Sequence, residues 1–300
     1  MPFPMISRTK KLLLILSGGV LLLVTVAATQ LPAIGAGAML HPFHRKVARA
    51  VPDRCEAVTL KGDGIDLQGW RGEAQGERHG TIIYLHGVAD NRVSGQGIIE
   101  RFQKRGFDVL AYDSRAHGES GGAACTYGFH EKEDLRRVLD TLKPGPVILI
   151  GSSLGGAVAL QTAAIDPRVT AVVAAEVFSD FRTVATERAP FVFTPGMIEK
   201  AFRLAEEQAH FKVDEVSPMA AAKNIKVPVL LIHGEADTDT PPAHSQRIHD
   251  ALVGTKRLLL VPGARHNESL SANETWDQIA EWIDRTLAWK ELEDERANRN

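Results

Sequence analysis

The chain has 300 residues, enough for one large α/β domain or two small ones and ample to bury a core. Lys and Arg number 35 against 37 Asp and Glu, a net charge of -2 with no basic stripe, which argues against nucleic acid as a partner. Two cysteines, Cys55 and Cys125, are too few and too far apart for a C-x-x-C zinc site; they either form one disulfide in an oxidising compartment or are small packed side chains.

Arg8, Lys10 and Lys11 precede an apolar run over 12–29, and the uncharged stretch continues to Leu40. The strongly apolar core, about 18 residues, is short for a membrane span and long for the apolar part of a signal peptide. Ala36-Gly37-Ala38 has the small residues of a cleavage site but lies well beyond that core. The pattern therefore favours an uncleaved anchor over a cleaved signal peptide. No polar face exists in the run, which disfavours a buried globular helix. The basic N-terminal flank favours an exported domain, a bias that Arg45, Lys46 and Arg49 dilute. Residues 1–40 are expected to be anchor (or signal peptide) and linker. Residues 41–300 are expected to form the folded domain, periplasmic or otherwise extracytoplasmic.

After His41-Pro42 and a polar connector, 55–60 and 65–70 read as a hairpin around Lys61-Gly62-Asp63-Gly64. Apolar strands are predicted at 81–85, 107–112, 147–150, 169–177, 227–232 and 257–261. Helices are predicted at 98–105, stopped by Gly106, and at 130–142, with Leu135, Val138, Leu139 and Leu142 on one face. An amphipathic helix at 276–289 closes the fold. Strands alternating with helices imply a mostly parallel sheet covered on both faces. Residues 180–217 carry no good strand and hold helix-like pieces at 182–188 and 197–207. An excursion of that length reads as a cap or lid. The charged end, 291–300, is expected to be solvated and frayed.

Ligands bind beyond the carboxyl ends of the strands in such a sheet, so the residues there carry the chemistry. Strand 147–150 runs into Gly151-Ser152-Ser153-Leu154-Gly155, a G-x-S-x-G, and then into a helix-forming stretch over 157–164. Strand, sharp turn and helix in that order lift Ser153 clear of the backbone. Small residues flank it because a Cβ there would clash. Ser152 sits one position too early and is expected to pack and hydrogen-bond beneath the turn. Asp237 follows the strand at 227–232, and His266 follows the last strand. Ser153 needs a base, for which His266 is the candidate, and His266 needs a partner to hold its tautomer, for which Asp237 is the candidate. The backbone N–H groups of Val88 and Leu154 are candidates for binding the oxyanion. The chain order Ser, Asp, His is that of an α/β-hydrolase.

Rival readings attach to several residues. Asp180 and Asp239 compete for the acid, Asp239 reading more simply as a turn residue before Pro241. His86 and His233 precede glycines and are expected to hydrogen-bond loop backbone near the site. His44, His79, His130, His244 and His249 read as surface residues. Asp113 and Arg115 look catalytic in isolation, but Asp113 reads better as an acceptor of backbone N–H bonds that hold its loop. Phe178, Phe181, Phe191, Phe193, Met197 and Phe202 are cap core, the wall of an acyl pocket, or both.

The segments Tyr84-Leu85-His86-Gly87, Tyr112-Asp113-Ser114-Arg115-Ala116-His117-Gly118-Glu119-Ser120, the turn at Ser153, 228–241 and Val261-Pro262-Gly263-Ala264-Arg265-His266 together resemble the α/β-hydrolase superfamily. Within it, the chain is most similar to membrane-anchored serine hydrolases related to serine aminopeptidases and monoglyceride lipases. Ala116 departs from the glycine usual there, which is expected to shift a loop only. The resemblance implies a mostly parallel, doubly wound α/β-hydrolase sheet with a short helical cap, a serine hydrolase mechanism, and no cofactor or metal. The anchor and apolar cap suggest a lipid-like acyl ester as substrate, such as a monoacylglycerol or lysophospholipid, and the resemblance also permits depalmitoylation. An aminopeptidase is the alternative; it needs cap carboxylates for the substrate amine, and Glu187, Glu199, Glu206 and Glu207 are available, although spacing to Lys200 and Arg203 favours solvated helix pairs. A non-catalytic binding protein on the same fold is the alternative from another class.

Overall fold

The computed structural model describes residues 7–297. A single sheet of eight strands organises them: β1 (Cys55–Lys61), β2 (Asp66–Gly72), β3 (Gly80–Leu85), β4 (Phe107–Tyr112), β5 (Val147–Ser152), β6 (Val169–Ala175), β7 (Val229–Gly234) and β8 (Lys256–Val261). Their spatial order is β1-β2-β4-β3-β5-β6-β7-β8. The β1–β2 and β2–β4 pairs are antiparallel and every other pair is parallel. The central strands β3 to β7 are buried along their whole length, as a sheet covered on both faces requires.

The helices are α1 (Arg8–Leu40), α2 (Gln96–Gln103), α3 (Glu131–Leu139), α4 (Leu154–Ala163), α5 (Phe181–Glu187), α6 (Pro195–Ala209), α7 (Pro218–Ala222), α8 (Ala243–Ala251) and α9 (Asn273–Ala297). Side chains alternate across the pleat and supply two cores. Ile83, Leu85 and Leu149 face a cluster shared with α3, α4 and the cap. Ile82, Tyr84, Ile148 and Ile150 face the cluster of α2 and α9, where Phe102 meets Trp276 edge-on at 6.3 Å. Helix α9 starts three residues before the predicted start and runs on through residues expected to fray; 298–300, also expected to fray, lie outside the described residues. Cys55 and Cys125 are both free thiols, so the disulfide alternative is not formed.

The cap expected at 180–217 is built from α5 and α6, each started by a side chain that accepts a first-turn N–H: Asp180 from Thr183 N and Thr194 from Met197 N. Asp180 is thus a helix cap. One expectation is overturned by packing. Residues 1–40 read as anchor and linker outside the fold, yet α1 continues unbroken through Leu40 and its last turns lie against α6. Pro32, Ala36 and Leu40, spaced four apart on one face, are buried, with Ala36 and Leu40 in the core. Tyr127 Oη donates to Met39 O at 3.1 Å and Cys125 N to Leu40 O at 2.9 Å, pinning the helix end to the domain. Upstream, residues 7–26 and 28–30 are exposed. Helix α1 is the one helix among the described residues long and apolar enough to cross a membrane.

Candidate active site

Ser153 lies between β5 and α4 with φ 50° and ψ −112°, a left-handed backbone that a non-glycine residue adopts only under constraint. The constraint is visible in its neighbours. A Cβ on Gly151 would meet Gly155 C at 2.3 Å, and one on Gly155 would meet Leu85 O at 2.0 Å. The turn is therefore pressed against β3, and only glycine fits at either flank. Ser153 N donates to Ala175 O at 2.8 Å, tying the turn to the end of β6. The N-terminus of α4 points its positive dipole end at the same place.

His266 Nδ1 lies 2.7 Å from Asp237 Oδ2. Asp237 is fully enclosed, and its other oxygen accepts from Asp239 N and Thr240 N, both at 2.9 Å. Burial alone would raise the Asp237 carboxyl; hydrogen bonds from His233, His266 and Thr240 N outweigh it and hold the group well below the usual carboxylate range. Asp237 is thus an anion at any ordinary pH and favours the Nδ1–H tautomer of His266, leaving Nε2 basic. Asp239, exposed, is the turn residue it was expected to be. Ser153 Oγ and His266 Nε2 share no hydrogen bond among the described residues.

The Val88 and Leu154 N–H groups have no loop partner among the described residues, and both residues line the same cavity as Ser153. His86 sets the first of these loops. Its Nε2 accepts from Ser114 N at 3.0 Å, so Nδ1 carries the proton and donates to Gly87 O at 2.7 Å. Burial lowers the His86 pKa and keeps the ring neutral, as that pattern requires. Asp113 accepts from Arg92 N and Glu119 N and pairs with the Arg92 guanidinium, a loop-holding role. Arg115 is spent on Asp134 at 2.7 Å.

Two residues were missed or misread in the sequence. Glu176 follows β6 at φ 56° and is buried; its two oxygens accept from Asn267 N at 2.5 Å and Ser269 N at 2.9 Å, gripping the loop that carries His266. The available signal was a carboxylate interrupting the apolar run at 169–178. His244, expected at the surface, is buried. Its Nδ1 accepts from Ser179 N at 3.0 Å, and its Nε2 donates to Glu187 Oε2 at 2.8 Å, joining α8 to the cap. Its position in α8, three residues before Arg247, hid this partner set. Ser152, at the end of β5, is buried beneath the turn and also lines a separate polar cavity of about 580 Å³ with Gly87, Tyr84 and Asn267.

The cavity at Ser153 has a volume of about 320 Å³ and is walled mainly by apolar side chains, among them Phe178, Phe181, Phe193 and Phe202. These phenylalanines are at once cap core and pocket wall. Phe191, expected beside them, is fully exposed. Arg188 is the charged residue of the lining, and it donates to Asp239 O at 2.8 Å and to Thr240 Oγ1.

Family models place this architecture. The α/β hydrolase fold model matches residues 80–220, and that of the TAP-like proteins matches 203–283. The uncharacterized protein YqkD of Bacillus subtilis is 31% identical over 233 residues, covering 70% of this chain and 72% of YqkD. The chain belongs to the α/β-hydrolase family. The uncharacterized protein YfhR of Escherichia coli K12 is 27% identical over 285 residues, covering 90% of this α/β hydrolase and 92% of YfhR. Among solved structures, the Pyrococcus furiosus esterase Pf2001 superposes with a TM-score of 0.67 at 24% identity, over 82% of this chain and 99% of the esterase. Mouse alpha/beta hydrolase domain-containing protein 10 superposes with a TM-score of 0.60 at 23% identity, over 77% and 99%. At those identities the likeness is one of fold.

Proposed function

We propose that the protein is a serine hydrolase that cleaves carboxylic esters or thioesters of lipid-like acyl groups. The observation that carries this is Ser153, held in a left-handed turn and opening onto an apolar cavity, with Asp237 and His266 hydrogen-bonded to each other beyond the ends of β7 and β8 in the same sheet. Ser153 Oγ attacks the acyl carbon as its proton passes to His266 Nε2. The Val88 and Leu154 N–H groups receive the oxyanion. The bond to the leaving alcohol or thiol breaks, and His266 returns the proton to it. Water then attacks the acyl-enzyme with His266 as base, releasing the carboxylic acid and free serine. The Ser153–His266 hydrogen bond forms when substrate binds, as catalytic contacts commonly tighten in the complex.

Helix α1 tethers the hydrolase to a membrane, with the domain on the exported side. Burial of Ala36 supports retention of the helix, because cleavage near residues 36–38 would remove part of the packed cap. The anchor proper then ends before Pro32, and residues 32–40 belong to the hydrolase unit. No observation favours the aminopeptidase alternative: the cap carboxylates Glu187, Glu199 and Glu206 are bonded to His244, Arg182 and Val213 N, Glu207 is exposed and outside the cavity lining, and the charged group at the cavity is a cation. Ser153→Ala should lower ester turnover by about 10⁴-fold or more and abolish labelling by a fluorophosphonate probe, with the far-UV dichroism unchanged. Turnover that survives in that variant overturns the assignment.

A further inference from the structure

The wall of the cavity opposite the sheet comes from an unexpected element. Ile34, Gly35, Ala38 and Met39 of α1 line the cavity that contains Ser153. Gly35 sits so close to the cap that a Cβ there would meet Phe193 Cε1 at 2.9 Å. The membrane-helix candidate is therefore a structural part of the substrate pocket. Ile34 is 62% exposed, so the cavity is open beside the helix. On the facing cap loop, Phe191 is fully exposed and Val192 is half exposed, next to Pro190 and Phe193 of the lining.

Helix geometry sets the height of this opening. The run from Leu12 to Leu31 is uncharged. At 1.5 Å per residue it spans about 30 Å, the thickness of the hydrocarbon core. Lys10 and Lys11 mark one boundary. Ile34 to Ala38 then lie roughly 5–10 Å beyond the other boundary, in the headgroup layer. That is the depth at which the ester linkage of a lipid sits, with its acyl chain below. Phe191 and Val192 are the apolar groups expected on a loop that dips into that layer.

We propose that α1 is both tether and acyl-pocket wall, and that the substrate is a single-chain, bilayer-resident acyl ester entering sideways between α1 and the loop at 188–193. This rests on the serine-hydrolase reading above. A volume of about 320 Å³ holds an acyl chain of roughly ten carbons at protein-like packing. A second chain would find no room.

The test uses the full chain in lipid vesicles. Ala38 faces the cavity, whereas Ala33 points away: at 100° per residue it lies on the side of α1 opposite the mean direction of the four lining residues. In Ala38→Trp, the ratio of decanoyl to acetyl ester hydrolysis should fall about tenfold, while Ala33→Trp keeps the wild-type ratio. An unchanged ratio in Ala38→Trp overturns the wall. A wild type that cleaves neither ester instead overturns the serine-hydrolase reading. Binding of a fluorescent decanoyl-chain fatty acid to the Ser153→Ala protein tests the wall independently of chemistry: adding Ala38→Trp should weaken it about tenfold, and unchanged binding overturns it. The source of substrate is tested by Phe191→Asp. The ratio of turnover on vesicle-embedded monodecanoylglycerol to turnover on a monodisperse butyryl ester should fall about fivefold. A ratio equal to that of wild type means that substrate arrives from water and overturns sideways entry.

Discussion

The strand ends and the cap are held by different forces. Ser153, Asp237 and His266 stand on backbone that is bonded into the sheet or its turns: Ser153 N to Ala175 O, Thr240 N to Asp237, Asn267 N to Glu176. The cap is held by apolar packing against α1 and by side-chain pairs at its rim, such as Arg182 with Asp214 and Glu199. Buried backbone hydrogen bonds leave little freedom, because an unmade bond costs about 1–3 kcal/mol. Exposed ion pairs contribute less than about 1 kcal/mol each and can rearrange. On the proposed function, the difference assigns chemistry to the rigid half and selectivity to the adaptable half.

The sharpest way to break the rigid half is at the elbow. Gly155→Val places a side chain where Leu85 O stands, 2.0 Å from the new Cβ. It should destabilise the fold by more than about 4 kcal/mol, read as a collapse of the denaturant midpoint or loss of soluble protein. A variant that melts like wild type would mean that β3 and the turn are not in contact.

A subtler break is Glu176→Gln. One of the two acceptors for the loop at 267–269 then becomes an amide N–H donor facing another N–H. The loop loosens and His266 is misplaced, so kcat should fall about 10- to 100-fold with KM nearly unchanged. The fluorophosphonate labelling rate should fall with kcat, and labelling at the wild-type rate counts against the positioning role.

Acid addresses both halves. Burial lowers the pKa of His86 and His244, and brings His117 to about 4, so all three are neutral in the folded protein. The unfolded value is about 6.5, so below that pH the unfolded chain binds more protons. Stability is therefore full above about pH 6.5 and falls as pH drops towards 4, by up to about 1.4 kcal/mol per pH unit for each group. Thermal melts from pH 7.5 to 4.5 read this slope. Replacing the α8 residue that bonds the cap, in His244→Gln, should flatten it, and an unchanged slope would place the acid sensitivity in the strand ends alone.

The smallest effect is expected at the rim of the cap. Arg182→Ala removes pairs to Asp214 and Glu199 and a guanidinium 4.8 Å above the Phe202 ring. It should cost under about 1 kcal/mol in melting experiments. A loss several times larger would mean that the cap is held by charge more than by packing.

Much of the rigid half was legible in the sequence. Gly151 and Gly155 announce the elbow because a turn that tight tolerates no Cβ, and the strand at 107–112 was bounded to the residue because Gly106 and Asp113 flank a short run that is apolar except for Asp108. Glu176 was overlooked because its partners lie 91 and 93 positions away. His244 was misread because a polar residue in a helix looks the same whether it meets water or Ser179, 65 positions off. Ala36 and Leu40 were assigned to a linker because a uniformly apolar run has no face that marks where lipid ends and protein begins.

The amino-acid sequence by itself determined the fold class, the elbow and the order of the residues at the strand ends. These depend on local constraints, the steric demands of one turn and the alternation of one strand, which a short window of residues can express. The tertiary structure alone decided that Glu176 grips the loop of His266, that His244 locks the cap, and that the end of α1 walls the cavity at Ser153. Those contacts join segments distant in the chain, where the selecting force is complementary packing, and packing leaves no periodic trace in either segment taken alone.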